Sequence, residues 1–155
     1  MTSSHDLAQV NLGRIVAPLD DTRLQGFVDG LEPLNAVADA APGFVWRLQD
    51  DDGDATSFRL FDDDLLLINL SVWASVDALR AFVYRSDHVE YLRRRRDWFQ
   101  PMSEAFLALW WVPAGTVPTP REAVDRVEHL RAHGPSAEAF TFRELFPPPS
   151  SGTTA

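Results

Sequence analysis

The chain has 155 residues, 45% of them hydrophobic and 24% charged, enough for one domain with a core of its own. It contains no cysteine, which excludes disulfides, thiolate metal sites and cysteine nucleophiles. Its formal net charge of −9 argues against nucleic acid as the main partner, because neutralising phosphates needs a basic surface.

The start, Met1 to Asp6, is short and polar and reads as a flexible N-terminus. It has no basic n-region or apolar h-region, and no apolar run approaches the roughly 18 residues that span a bilayer. The expected location is therefore the cytoplasm, with no membrane partner. Leu7 to Gly13 alternates Ala8, Val10 and Leu12 against Leu7, Gln9 and Asn11, the period of a first strand. Asp20 or Asp21 offers an N-cap for a helix whose apolar residues Leu24, Phe27, Val28 and Leu31 follow. Pro33 should break or kink that helix, leaving Leu34 to Ala41 as a second short piece. Pro42-Gly43 is a turn.

Phe44 to Gln49 reads as a second strand. Asp50-Asp51-Asp52-Gly53-Asp54 and Asp62-Asp63-Asp64 then mark a solvated hairpin loop; no glutamate follows at the offset a calcium loop needs. Leu65 to Trp73 is nearly continuously apolar, the pattern of a strand buried on both faces. Ser75 caps the next helix, with Val76, Leu79, Phe82 and Val83 as its stripe. The helical pattern resumes through His88, Tyr91, Leu92 and Phe99 until Pro101, and carries the solvated run Arg93 to Arg96. Ala105 to Val112 is a fourth strand, and Thr119-Pro120-Arg121-Glu122 is a capping box for the last helix. Ala123, Val124, Val127 and Leu130 form its stripe, Gly134-Pro135 ends it, and Ala139 to Phe142 adds a short strand. Residues 146–155, rich in proline, serine and threonine, read as a disordered tail after a domain spanning 7–145.

The order β-α-β-β-α-β predicts an α+β, ferredoxin-like antiparallel-type sheet with helices on one face. The other face is then too apolar and aromatic for water. A second copy of the chain, related by a two-fold axis and closing a barrel, is the expected partner for that open face.

Several segments resemble a bacterial domain-of-unknown-function family, the one numbered thirty-two ninety-one. They are Leu7 to Asn11, Pro42 to Arg47, Asn69 to Trp73, Phe82 to His88, Trp110 to Gly115 and His129 to Arg131. The resemblance spans about residues 7–145 and implies the dimeric α+β barrel superfamily. That superfamily includes antibiotic-biosynthesis monooxygenases and haem-degrading oxygenases. It settles no activity for the family itself.

Alternation groups Gln9 and Asn11 with Asn69, Ser71 and Trp73, and with Leu107, Leu109 and Trp111, on one mixed face of the sheet. The opposite face is aliphatic. Helices are expected on the aliphatic face, which turns the mixed face into the barrel as an apolar cavity with a few convergent polar groups. Asn11, Trp73 and His88 look like the asparagine, tryptophan and histidine of the haem-degrading members. His88 is the candidate general base, or the haem ligand if haem is the cofactor. Asn11 is the candidate for orienting a carbonyl or an oxygen species. Gln9, Trp46, Asn69, Trp73, Tyr84 and Trp111 are the candidate contacts to a small hydrophobic ligand. Three function classes stay open: a monooxygenase-like enzyme without cofactor or with haem, a binding protein for haem or a hydrophobic metabolite, and a purely structural dimer whose cavity is filled by its own side chains.

Overall fold

The computed structural model describes residues 5–18, 20–48, 66–84, 95–100 and 107–149. Strand β1, His5–Arg14, runs down the centre of a four-stranded antiparallel sheet. On one side it pairs with β3, Leu66–Trp73, and on the other with β4, Leu107–Pro113. The short β2, Phe44–Arg47, completes the order β2-β3-β1-β4. Helix α1, Gln25–Asp39, joins β1 to β2, and α2, Val76–Val83, follows β3. A single helical turn, α3, Arg95–Trp98, precedes β4, and α4, Pro120–His133, follows it. The expected α+β class and ferredoxin-like order are those of the structure.

The caps lie where the residue types place them. The Ser75 hydroxyl accepts from the Ala78 N–H at 3.1 Å, and that of Thr119 accepts from the Glu122 N–H at 3.1 Å. Asp21 caps a 3-10 turn, Thr22–Leu24, that leads into α1. Gly134, at φ 77°, stops α4 and returns its N–H to the Leu130 carbonyl.

Pro33 does not break the first helix. It lies inside the unbroken α1 with its ring exposed. The Asp29 carbonyl, which loses its donor to the proline, sits on an exposed residue and can turn to water.

The second difference concerns the faces. Both β-α-β crossovers join parallel strands, and right-handed crossovers put α1 and α2 on the same side. That side is the mixed face, not the aliphatic one. Leu79 of α2 and Ala38 of α1 pack with Leu7, Trp73 and Leu109. The aliphatic face carries Ala8, Val10, Leu12, Ile68, Leu70, Val72, Ala108 and Val112. It is covered by Ala123, Val127 and Leu130 of α4. Helix α4 has no crossover to make, so it is free to take the remaining face. Its small aliphatic stripe packs on that face together with the buried Trp110, while the Phe82 ring of α2 stacks on Trp73. The mixed face therefore meets the chain's own helices rather than the inside of a two-chain barrel. The aliphatic face is covered within the chain by α4.

The chain past α4 also differs from expectation. In place of a strand over Ala139 to Phe142, isolated bridges form: Ala139 pairs with Ser136, Thr141 with Glu144, and Phe140 with Leu109 of β4, exchanging both backbone hydrogen bonds at 2.8 Å. Phe142 and Phe146 then pack on the mixed face, so the packed chain reaches past residue 145. At the other end, β1 already includes His5 and Asp6. Phe99, expected on a helix, bridges Ile15 instead. The acidic hairpin loop, His88, Tyr91, Leu92 and the run from Arg93 to Arg94 lie outside the described residues.

Candidate functional site

The register decides which polar side chains meet. Gln9 stands opposite Ser71 on β3 and Leu109 on β4, and Asn11 stands opposite Asn69 and Leu107. One step further along, Leu7 is flanked by Trp73 and Trp111. Side chains two apart share a face, so these residues form one patch.

A hydrogen-bonded chain runs through it. The Gln9 amide nitrogen donates to Asn69 Oδ1 at 2.7 Å and to Ser71 Oγ at 2.8 Å. The Trp73 indole N–H donates to the same Ser71 oxygen at 2.8 Å. Gln9 and Ser71 are 7% and 8% exposed, so this is a buried network whose members need one another. Asn69 at its end is exposed and Asn11 beside it is half-buried, so the strip opens to solvent there. Among the described residues no charged side chain bonds to the strip.

The walls are apolar at both ends. Trp73 stacks on Phe82 with centroids 5.1 Å apart and meets the edge of Phe44 at 5.4 Å. Trp111 lies 6.5 Å from Phe140, and its N–H donates to the Phe146 carbonyl at 2.9 Å. Beyond Asn11, Gly13 leaves room for the Phe99 ring; a Cβ there would come within 2.6 Å of it. Phe99 packs in turn with Phe27 of α1, Trp98 and Leu67. An uncharged polar strip held between two aromatic layers is suited to binding a flat, mostly apolar molecule that carries a few polar atoms.

The structure thus brings together Gln9, Asn11, Asn69 and Trp73, with Trp111 at the aromatic end. It does not bring Trp46 to them. A bulge between Phe44 and Trp46 shifts the register, so Phe44 meets Trp73 while Trp46 packs with the aliphatic-face core. Tyr84 is the C-cap of α2 and is 67% exposed. His88 is outside the described residues. Ser71, which sequence reasoning noted on this face but did not single out, is the hub of the network. Its position between Asn69 and Trp73, two residues from each, is the signal that could have found it.

Haem has a fit problem on this surface. Amides, a hydroxyl and indole N–H groups are not axial ligands for haem iron. Among the expected site residues His88 is the candidate haem ligand, and it lies outside the described residues, so no step is routed through haem. Among the described residues there is no group of three or more His, Asp or Glu able to hold a metal ion. None of the described helices is long and apolar enough to cross a membrane.

A family model described as "Domain of unknown function (DUF3291)" matches residues 6–155. No curated protein matches the chain. Among solved structures, the chain is similar to SnoaB, a cofactor-independent oxygenase from Streptomyces nogalater. The TM-score is 0.51 at 18% identity, over 76% of this chain and 100% of that one. It is similar to PA3566 from Pseudomonas aeruginosa, with TM-score 0.50 and 15% identity over 75% of this chain and 99% of that one. It is also similar to SO0527 from Shewanella oneidensis, with TM-score 0.52 and 6% identity over 72% of this chain and 95% of that one. At such identities the likeness is one of fold.

Proposed function

Because the chain belongs to the DUF3291 family, whose function is unknown, its chemistry has to come from its own residues, and we propose a monooxygenase-like enzyme acting on an apolar or aromatic metabolite. The observation that carries this reading is the uncharged Gln9–Ser71–Asn69 strip beside Trp73, open at Asn69 and walled by rings. The similarity in fold to a cofactor-independent oxygenase supports the reaction class.

In this reading Asn11 and Asn69 hold the polar atoms of the substrate, and Trp73 and Trp111 wall the site and exclude water. His88 takes the proton as general base. The substrate supplies the electrons. An activated methylene that becomes a carbonyl loses four electrons to one O2; one oxygen atom enters the product and the other leaves as water. Phenolate-like aromatics are the substrates able to give electrons up in this way.

The test is oxygen uptake by the purified protein with a panel of hydroxylated polycyclic aromatics, with product mass read in parallel. Uptake with at least one of them is expected. Asn69→Ala should lower kcat by about 100-fold, the size of losing one well-placed donor, without changing the far-UV circular dichroism. Tight binding without uptake across the panel would replace the enzyme by a binding protein. Undiminished turnover in the Asn69→Ala variant would remove the strip from the mechanism.

A further inference from the structure

We propose that residues 141–146 form a displaceable strap over the Trp111 end of the mixed face, and that a flat apolar ligand enters by taking the place of the Phe146 and Phe142 rings. The inference rests on the reading that this face binds a small molecule, and it adds how access to that site is controlled.

The strap is firmly anchored at its start. Phe140 is fully buried and exchanges both backbone hydrogen bonds with Leu109 at the edge of β4. Past it the chain turns on itself. The Glu144 N–H donates to the Thr141 carbonyl and the Arg143 N–H to Thr141 Oγ1, each at 3.2 Å. Those bonds shape the strap without fastening it to the sheet. Among the described residues, the hydrogen bond that fastens it runs from the Trp111 indole N–H to the Phe146 carbonyl at 2.9 Å. Ring contacts add to it. Phe142 and Phe146, both half-buried, pack on the Trp73 cluster, and the Arg80 guanidinium of α2 lies 5.8 Å from the Phe142 ring centre. Arg143, Glu144 and Leu145 are exposed. Pro147, Pro148 and Pro149 follow, exposed and without N–H groups, so they add no backbone donor to the sheet. Two half-buried rings and one hydrogen bond have to offset the conformational entropy of six ordered residues. Opening beyond Phe140 therefore costs far less than unfolding the sheet.

What the strap covers matches what it is made of. The Phe146 ring centre is 5.8 Å from that of Phe140, which in turn lies 6.5 Å from Trp111. Lifting Phe146 bares one side of this aromatic layer and frees the Trp111 N–H. A flat ring bearing one polar atom replaces the strap ring for ring and acceptor for acceptor. The strap is thus an internal competitor for the site it covers.

The test uses the full chain and 2-naphthol, a flat ring system with one oxygen. In the free wild-type protein, hydrogen exchange read by NMR should show the Trp111 indole N–H exchanging at least about tenfold faster than the Phe140 amide and the Trp73 indole N–H. The Trp73 N–H, bonded to Ser71 on the same face, reports opening of the sheet rather than of the strap. Equal rates overturn the proposal without any variant. Phe146→Ala should bind 2-naphthol about tenfold more tightly than the wild type, since a site closed about nine-tenths of the time loses that factor in apparent affinity. Phe142→Ala should act in the same direction and serves as the readout if the first variant does not fold, which Trp73 exchange will show. Unchanged or weaker binding in the folded variant makes these rings fixed walls and overturns the proposal, while leaving the small-molecule site in place. Binding by neither the wild type nor the variants removes the underlying site reading, and this proposal with it.

Discussion

Asp21 shows what one residue does to a chain end and to its titration. Its carboxylate accepts from the Arg23 backbone N–H at 2.9 Å and from the Arg23 guanidinium at 3.0 and 3.1 Å. The Arg23 side-chain hydrogen bond, then its backbone hydrogen bond, lowers the Asp21 pKa to about 2. A carboxyl depressed in the folded state adds stability that is complete above its unfolded value of 3.8 and is lost as pH falls towards about 2. An NMR titration should therefore find Asp21 still ionised at pH 3. An Asp21→Asn variant should lose that part of the acid dependence; an ordinary Asp21 midpoint near 3.8 would contradict the cap geometry. The cap itself was legible, because a short acceptor before an apolar period has few other uses. The Gln9–Ser71 bond was less so. Alternation places both residues on one face, but 62 positions separate them and only the strand register makes them neighbours. The asparagines and Trp73 were visible as unusual residues on that face; the serine between them looked ordinary.

Elements were read well where punctuation is local and badly where a partner decides. Pro42-Gly43 is a turn in both sequence and structure, and the reason lies in Gly43. It has φ 82°, and a Cβ there would meet the Ala78 methyl of α2. Its carbonyl also accepts from the Ala74 N–H at 2.7 Å, which ties the turn to the start of α2. Gly43→Ala should therefore cost about 1–3 kcal/mol in chemical denaturation, from backbone strain plus the clash. A loss under about 0.5 kcal/mol would show that the turn relaxes at no cost. By contrast, Pro33 carries a strong helix-breaking signal that tertiary packing overrides, since α1 is held at both ends: Phe27 packs against Trp98 and Phe99, and Ala38 against the Trp73 cluster. The bulge after Phe44 leaves no signature in a four-residue strand either. It sends Trp46 to the aliphatic side although Phe44, two residues earlier, faces Trp73.

At the scale of the molecule, a two-chain barrel is expected only if one sheet face is left uncovered by the chain itself. Order and hydrophobicity specify how many faces need cover but not which segment supplies it, and helix α4, after the last strand, was the free piece. Its stripe lies on the aliphatic face, with Val127 and Leu130 buried there and the Arg126 guanidinium 5.8 Å from the Trp110 ring centre. The cover is intramolecular, and that has a thermodynamic signature. Leu130→Ala removes a buried side chain from the α4 contact and should cost about 2–4 kcal/mol. With this cover supplied from within the chain, the denaturation midpoint of both proteins should be unchanged over a hundredfold range of protein concentration. Were the face sealed by another copy, with α4 lying elsewhere, the midpoint would rise with concentration and Leu130→Ala would cost little. The same test bears on the strip. With α4 on one face and α1 and α2 on the other, the Gln9, Ser71 and Asn69 bonds form within one chain, so oxygen uptake with the hydroxylated aromatics should follow folded chain and not the extent of assembly.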